Sequence, residues 1–573
     1  MKKNKKVKKI DYDIERLGAI SDKYYNEGKF LSALRLAYRQ YELYGGDGDI
    51  YTRLADIYEG MGLHASAINW LYRFMDIAET EDLPDIYEGL AVNYLNMGQE
   101  NYSAYYYNRL IDADASLPIE AKQDILDAFS KPKKAGFRFV YPPEAADYSK
   151  ELELGSRALK AGNCKLAVKT LEKIEKGSKE YAQAKEMQAV AHLLAGQESE
   201  AEKICLELLE TKPTDTRALA TLSAVYLEQG KKEESREIAL KLYASQQENA
   251  DNLYKVATVC CENGLHEQAF EKFCELENVM PFDGRMLYFK AVAAYKCGKL
   301  EESEKAFDTL CSVYPDAEVA KYYLRALRRR EENEVLDEAE TPDYLYHLPQ
   351  AERESRCRSL LHIGGCPKDE AQLFGLIALH DGLFRWCFDE MDGADHDLQY
   401  LGLVTAEHVR ADDFLREVLL DCEVADVLKV ETLRMLYERN EEIAIGIVIG
   451  HVYRRILLHK IKIGRKKRKR FLAGYAKIAS RFVAVSGDYG IRMKMAAESL
   501  YAALSKRERF ELVEKEDDLA CAIYFLAGLQ ELGRDIETVV KAFDANEARV
   551  ISLTSIAVET SLEEPMQTEE KNG

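Results

Sequence analysis

The sequence predicts an all-α chain: an α-solenoid, followed by a mainly helical C-terminal region that contains one β-hairpin. Three observations predict it. A glycine returns every 34 residues, at Gly162, Gly196, Gly230, Gly264 and Gly298. A small residue stands five positions after each of them: Ala167, Ala201, Ser235, Ala269 and Ser303. Between the glycines, apolar residues recur at i, i+3, i+4 and i+7, the spacing of one buried helix face. A fixed period of this length means stacked copies of one helix-turn-helix unit.

Each position has a physical reason. The glycine ends the first helix of a unit, because glycine takes the left-handed cap without steric cost. The small residue lets the second helix approach the first. Proline closes three units, at Pro213, Pro281 and Pro315, since it cannot continue a helix. One unit cannot bury its own apolar face, so the units are stable only as a stack. Three further units lie upstream, carrying Tyr24, Gly28, Phe30, Ala33 and Ala37; Ala55, Tyr58, Gly62 and Ala67; and Leu90, Ala91, Tyr94, Gly98 and Ser103. This frame resembles the tetratricopeptide repeat. The resemblance implies a right-handed superhelix with a concave groove that holds segments of partner proteins.

Composition narrows the class. Among 573 residues, Lys and Arg total 79 and Asp and Glu total 100, a formal charge of −21. An acidic chain is a poor default binder of nucleic acid or anionic membrane. No stretch of about 18 apolar residues is present, so no membrane-spanning helix is expected. The 12 cysteines are scattered and form no CxxC pair, which fits reduced thiols in a cytoplasmic protein.

Taken in order, residues 1–13 read as a basic disordered arm without the apolar core of a secretory signal. Residues 14–114 are a first block of about three repeats. Residues 115–147 form a linker with a short helix at 118–129, then prolines and glycine that exclude helix. Residues 148–330 are a second block of about five repeats, with Asp316 to Arg330 as its cap helix. An acidic linker, 331–342, precedes helices near 370–390, 397–408, 411–420 and 424–438, in a region, 343–442, that looks similar to HEAT-type repeats. At 443–463 the period changes: Ile443, Ile445, Ile447 and Ile449 alternate, and Gly450-His451 suits a two-residue type II′ turn before a returning strand. Helices resume over 464–557, and 558–573 is a disordered tail.

Three features invite chemistry. The run Arg465, Lys466, Lys467, Arg468, Lys469 and Arg470 could contact phosphate or an acidic surface, or be a solvated helix start. Residues 517–557 are similar in order to the helix-turn-helix that closes the cyclin-like repeats of general transcription factors. However, Asp544 replaces the favoured turn glycine, and the second helix has one basic residue, Arg549, where base reading needs several polar side chains. A structural helix pair is the preferred reading. His362, His380, Asp381, Asp389, Asp392, Asp395, His396 and Asp397 faintly resemble the histidine and aspartate pattern of metal-dependent phosphohydrolases. Most of these carboxylates fall where caps and turns need them. No catalytic residue, metal site or cofactor is assigned, and the chain reads as a non-enzyme.

In tetratricopeptide stacks the first helix of each unit lines the groove. The subset of the family that captures chaperone C-terminal carboxylates pairs Lys and Asn there, with Lys and Arg on later helices. The matching positions hold Gly18 and Asp22, Thr52 and Asp56, and Tyr254 and Thr258, so that clamp is absent. The second block instead places Val190, Leu193, Leu194, Leu227, Tyr254, Thr258, Tyr288, Val292 and Tyr295 toward the groove, aromatic anchors of the kind peptide-binding surfaces use. The first block's groove is acidic, with Glu15, Asp22, Asp49, Asp56, Glu59, Asp85 and Glu88, and suits a basic segment. The expected role is a scaffold for one or more protein partners. The alternative is a transcription-linked regulator whose C-terminal region touches nucleic acid through Arg465–Arg470.

Overall fold

A computed structural model describes residues 13–129, 147–247, 249–331, 341–380, 382–389, 395–465, 468–482, 484, 487–529 and 536–562. Helices dominate, with one two-stranded sheet among the described residues. The chain divides into two compact units. One holds the first repeat block together with 350–388 and 393–573; the other holds 131–349 and 389–392.

Eight helix pairs make the repeats. In the first block they are Ile14–Asn26 with Phe30–Tyr44, Gly48–Gly60 with His64–Ile77, and Leu83–Asn96 with Glu100–Ala113, followed by Ile119–Phe129. In the second they are Ser149–Lys160 with Cys164–Leu171, Tyr181–Leu194 with Glu198–Thr211, Thr216–Glu228 with Lys232–Ala244, Ala250–Glu262 with His266–Glu277, and Gly284–Lys296 with Leu300–Val313. The helix Glu318–Glu331 closes that stack.

The turn chemistry is uniform. The eight turn glycines, from Gly28 to Gly298, have φ between 66° and 75°. In each turn the residue after the glycine donates its N–H to the carbonyl five residues back, as from Leu265 to Cys260 at 2.9 Å. This is the six-residue closure that satisfies an orphan carbonyl of the helix end. The small residues five positions on, including Ala33, Ser103, Ala201 and Ser303, are fully buried. At Ser235 and Ser303 the hydroxyl is absorbed locally: Ser235 Oγ donates to the carbonyl of Ser223 at 3.0 Å and Ser303 Oγ to that of Ala291 at 2.8 Å. Asp47, Asp215, Asn249 and Asp283 cap the first helices of their units by accepting N–H bonds from the first turn.

In the other unit, the C-terminal helices build a core around Trp386, Leu419, Leu433, Tyr475, Leu519 and Cys521, all nearly inaccessible. Within it stand strand β1, Ile443–Ile449, and strand β2, Val452–Leu458, paired antiparallel with Ile449 opposite Val452. The predicted turn type is corrected. Gly450 and His451 have φ of 56° and 59°, and positive φ at both central residues marks a type I′ turn, not II′. The hairpin tip explains why a histidine accepts that conformation. Tyr72 and Tyr106 donate their hydroxyls to the His451 carbonyl at 2.7 and 3.0 Å, and Tyr94 sits 3.2 Å from His451 Nδ1. The hairpin therefore docks on the first repeat block. β1 passes so near the helix His64–Ile77 that a Cβ at Gly446 would lie 2.2 Å from Asp76 Oδ1.

Candidate partner-binding grooves

In the second unit the first helices of four consecutive repeats line an open cleft of about 490 Å³. Its apolar wall is Leu159, Met187, Val190, Tyr254 and Met280; Glu186, Arg217, Asp251 and Lys255 give it charges of both signs. Arg217 reaches Glu186 across the cleft at 3.4 Å. Burial, with Asp215 nearby, raises the Glu186 carboxyl above its ordinary range. Burial also pushes the Tyr254 phenol up to about 12, so it stays a neutral hydrogen-bonding ring at any physiological pH.

The predicted groove residues separate into three sets. Val190 and Tyr254 line the open cleft. Leu193, Leu227, Thr258 and Tyr295 are half-buried, and Leu194 is exposed; Thr258 spends its hydroxyl on the carbonyl of Lys255 at 2.9 Å. Tyr288 and Val292 are corrected: both are buried, at 1% and 0% exposure. The reason at Tyr288 is the chain's own segment 341–349, which lies against it. The Tyr288 hydroxyl meets the carbonyls of Asp343 and Leu345 at 2.9 and 3.0 Å, and the Tyr323 hydroxyl donates to that of His347 at 2.9 Å. Tyr346 stacks edge-on against Tyr288 at 4.7 Å. Tyr344 bonds His266 Nδ1 at 2.9 Å, and Lys296 lies over its ring. Sequence reasoning missed Tyr344 and Tyr346 by assigning this stretch to a linker and the start of a helical region. The available signal was the alternation Pro342, Tyr344, Tyr346, Leu348, a period of two that no helix uses.

In the first block a cleft of about 1040 Å³ is lined by four of the expected acidic residues, Asp22, Asp49, Asp56 and Asp85, together with Asp47, Glu79, Asp82 and Arg53; Glu15, Glu59 and Glu88 are not among its lining residues. Arg53 pairs with Asp22 at 2.6 Å. Burial, then Glu59 and Asp22, raise the Asp56 carboxyl.

Of the basic run, Arg465, Arg468, Lys469 and Arg470 are exposed, and Arg470 donates to the carbonyl of Val513 at 3.0 Å; Lys466 and Lys467 lie outside the described residues. Arg549, the one basic residue of the second helix in the 517–557 pair, is held by Glu514 and Asp518. No three His, Cys, Asp or Glu side chains converge as metal ligands among the described residues. Asp395 caps the helix His396–His408 and pairs with Arg353 at 2.7 Å. Asp389 accepts from the Val319 N–H and the Tyr346 hydroxyl. The His380 side chain, Asp381 and Asp392 lie outside the described residues. No helix among the described residues is long and apolar enough to cross a membrane.

Comparison with known proteins bears on the repeats. Residues 157–269 match the family model of the N-terminal tetratricopeptide-repeat region of Psidin. No curated protein sequence matches the chain. Similar solved structures include a tetratricopeptide repeat protein from Parabacteroides merdae, 17% identical over 45% of this chain and 98% of that one, TM-score 0.27. Yeast Tom70 is 13% identical over 96% of both chains, TM-score 0.27. The TPR2AB domain of yeast Sti1 in complex with pHSP90 is 17% identical over 46% of this chain and 96% of that one, TM-score 0.17. Overlays this loose carry no argument. The family match and the turn frame that repeats through both blocks do: this is a tetratricopeptide-repeat-containing protein.

Proposed function

We propose that the protein is an interaction scaffold that holds a partner segment in the open cleft of its second repeat block. One observation carries this reading: the cleft around Val190 and Tyr254 joins apolar side chains, Leu159, Met187 and Met280 among them, with charges of both signs. Binding surfaces place an aromatic anchor in such a setting, with polar groups to fix orientation. The mechanism is surface complementarity, with no bond made or broken. The acidic cleft of the first block supports a second, basic segment of the same or another partner. The 12 cysteines are scattered along the sequence with no CxxC pair, which supports a reducing, cytoplasmic setting. The transcription-linked reading would rest on Arg465–Arg470, of which Arg470 donates to the Val513 carbonyl, and the repeat-family match does not bear on it.

The test compares wild type with Val190→Asp/Tyr254→Ala as bait in source-cell lysate, with Lys541→Ala, exposed and outside both clefts, as the control. A partner retained by wild type and control but weakened at least about 30-fold by the double variant, the size expected of a binding hot spot, supports the open cleft. A partner held equally by all three sinks it.

A further inference from the structure

The strap formed by residues 341–349 occupies its stretch of groove in the manner of a bound ligand. Its grip is of two kinds. Tyr288 and Tyr323 hold its main chain, through the carbonyls of residues 343, 345 and 347. Side chains are seated at alternate positions: Tyr344 against Phe289 and His266, Tyr346 against Tyr288, with Pro342 and Leu348 buried on either side of them. Asp343 and Leu345 between and before them are exposed, Leu345 at 52%. Hydrogen bonds to carbonyls do not depend on which chain supplies them; of the exposed positions, Asp343 adds an ion pair with Lys296 at 3.4 Å. A ring path, Tyr254 to Phe289 at 6.4 Å and Phe289 to Tyr344 at 6.2 Å, links this stretch to the open cleft.

We infer that this stretch of groove is a slot for a non-helical segment bearing two tyrosines at alternate positions, flanked in the same alternation by apolar residues, and that it is filled by the chain's own strap until a partner segment of that kind displaces it. The slot neighbours the open cleft, and the inference does not need the cleft to bind anything. The strap competes as a tethered ligand, and short tethers give effective concentrations of order millimolar. A free segment therefore binds weakly while the strap keeps its anchors, and tightly once they are gone.

The probe is a fluorescein-labelled peptide of residues 341–350, titrated by anisotropy against the full-length protein. Tyr344→Ser/Tyr346→Ser removes the strap's anchors and is expected to bind the peptide at least about 10-fold more tightly than wild type, as loss of a tethered competitor requires. Adding Tyr288→Phe and Tyr323→Phe deletes the donors and is expected to reverse that gain. Val190→Asp in the open cleft is expected to leave it unchanged, so the slot and the cleft can fail separately. The slot is overturned if the anchor variant, with its far-UV helicity intact, binds no tighter than wild type, or if the donor variants bind as well as the anchor variant. Should the anchor variant unfold, hydrogen exchange decides on wild type: excess peptide must speed exchange of the amides of 343–348, and unchanged exchange overturns the slot.

Discussion

At the scale of single residues, the turn glycines and the buried tyrosines behave as opposites. A Cβ on Gly264 would meet nothing within 4 Å, yet its φ is 66°. The cost of replacing it is therefore conformational, with no clash to relieve. Gly264→Ala is expected to destabilise by about 1–2 kcal/mol, the price of a left-handed non-glycine residue, measurable as a lower urea midpoint with unchanged m-value. Tyr72 is the reverse case: fully buried, its hydroxyl meets Tyr94 and Tyr106 at 2.7 and 3.1 Å and donates to the His451 carbonyl. Tyr72→Phe keeps the ring and leaves polar partners short of a bond, so a loss of about 1–3 kcal/mol is expected in the same measurement. The two differ in legibility as well. Gly264 announces itself because a cap is a local event, written within six residues of chain. Tyr288 could be placed on a groove-lining helix from its position in the repeat. Its burial could not, because the group that covers it is the main chain of a segment more than fifty residues away, and carbonyls leave no trace in a sequence.

Whole elements show the same division. The helix pairs follow from period and capping, and the strands from the alternation of Ile443, Ile445, Ile447 and Ile449. The hairpin turn type did not follow, because glycine at position 450 permits several turns. The choice falls to His451, fixed from outside by Tyr72, Tyr94 and Tyr106. That docking carries a pH signature. Burial first, and the charge of Lys429 second, lower the His451 pKa below its ordinary 6.5, with Asp426 opposing. As pH falls through 6.5 the unfolded chain takes up the proton before the folded chain does, so stability is lost there. The loss stops once pH is below the folded pKa. His266 and His459 shift the same way and Asp56 and Glu438 the other, so the contribution is isolated by difference. His451→Asn, which tolerates the positive φ, is expected to show a smaller fall in Tm from pH 7.5 to 5.5 than wild type, followed by scanning calorimetry. Equal falls would remove His451 from the account.

For the molecule as a whole, the two compact units predict thermodynamics that a single transition cannot describe. Multi-unit chains depart from two-state unfolding, so the calorimetric enthalpy is expected to exceed the van't Hoff value. Gly264→Ala is expected to move the transition of the unit that contains it and leave the other in place. A single transition with matching enthalpies would show the units to be coupled. The strap also has a meaning at this scale. Its slot grips main-chain atoms common to every protein and seats Tyr344, Tyr346 and Leu348 at alternate positions. An alternation of aromatic and apolar residues is a loose code that many segments satisfy. What the strap has that a stray segment lacks is its tether. Occupancy of the slot is thus decided by nearness: whatever is brought alongside by other contacts enters, and a partner gains admission by being delivered there.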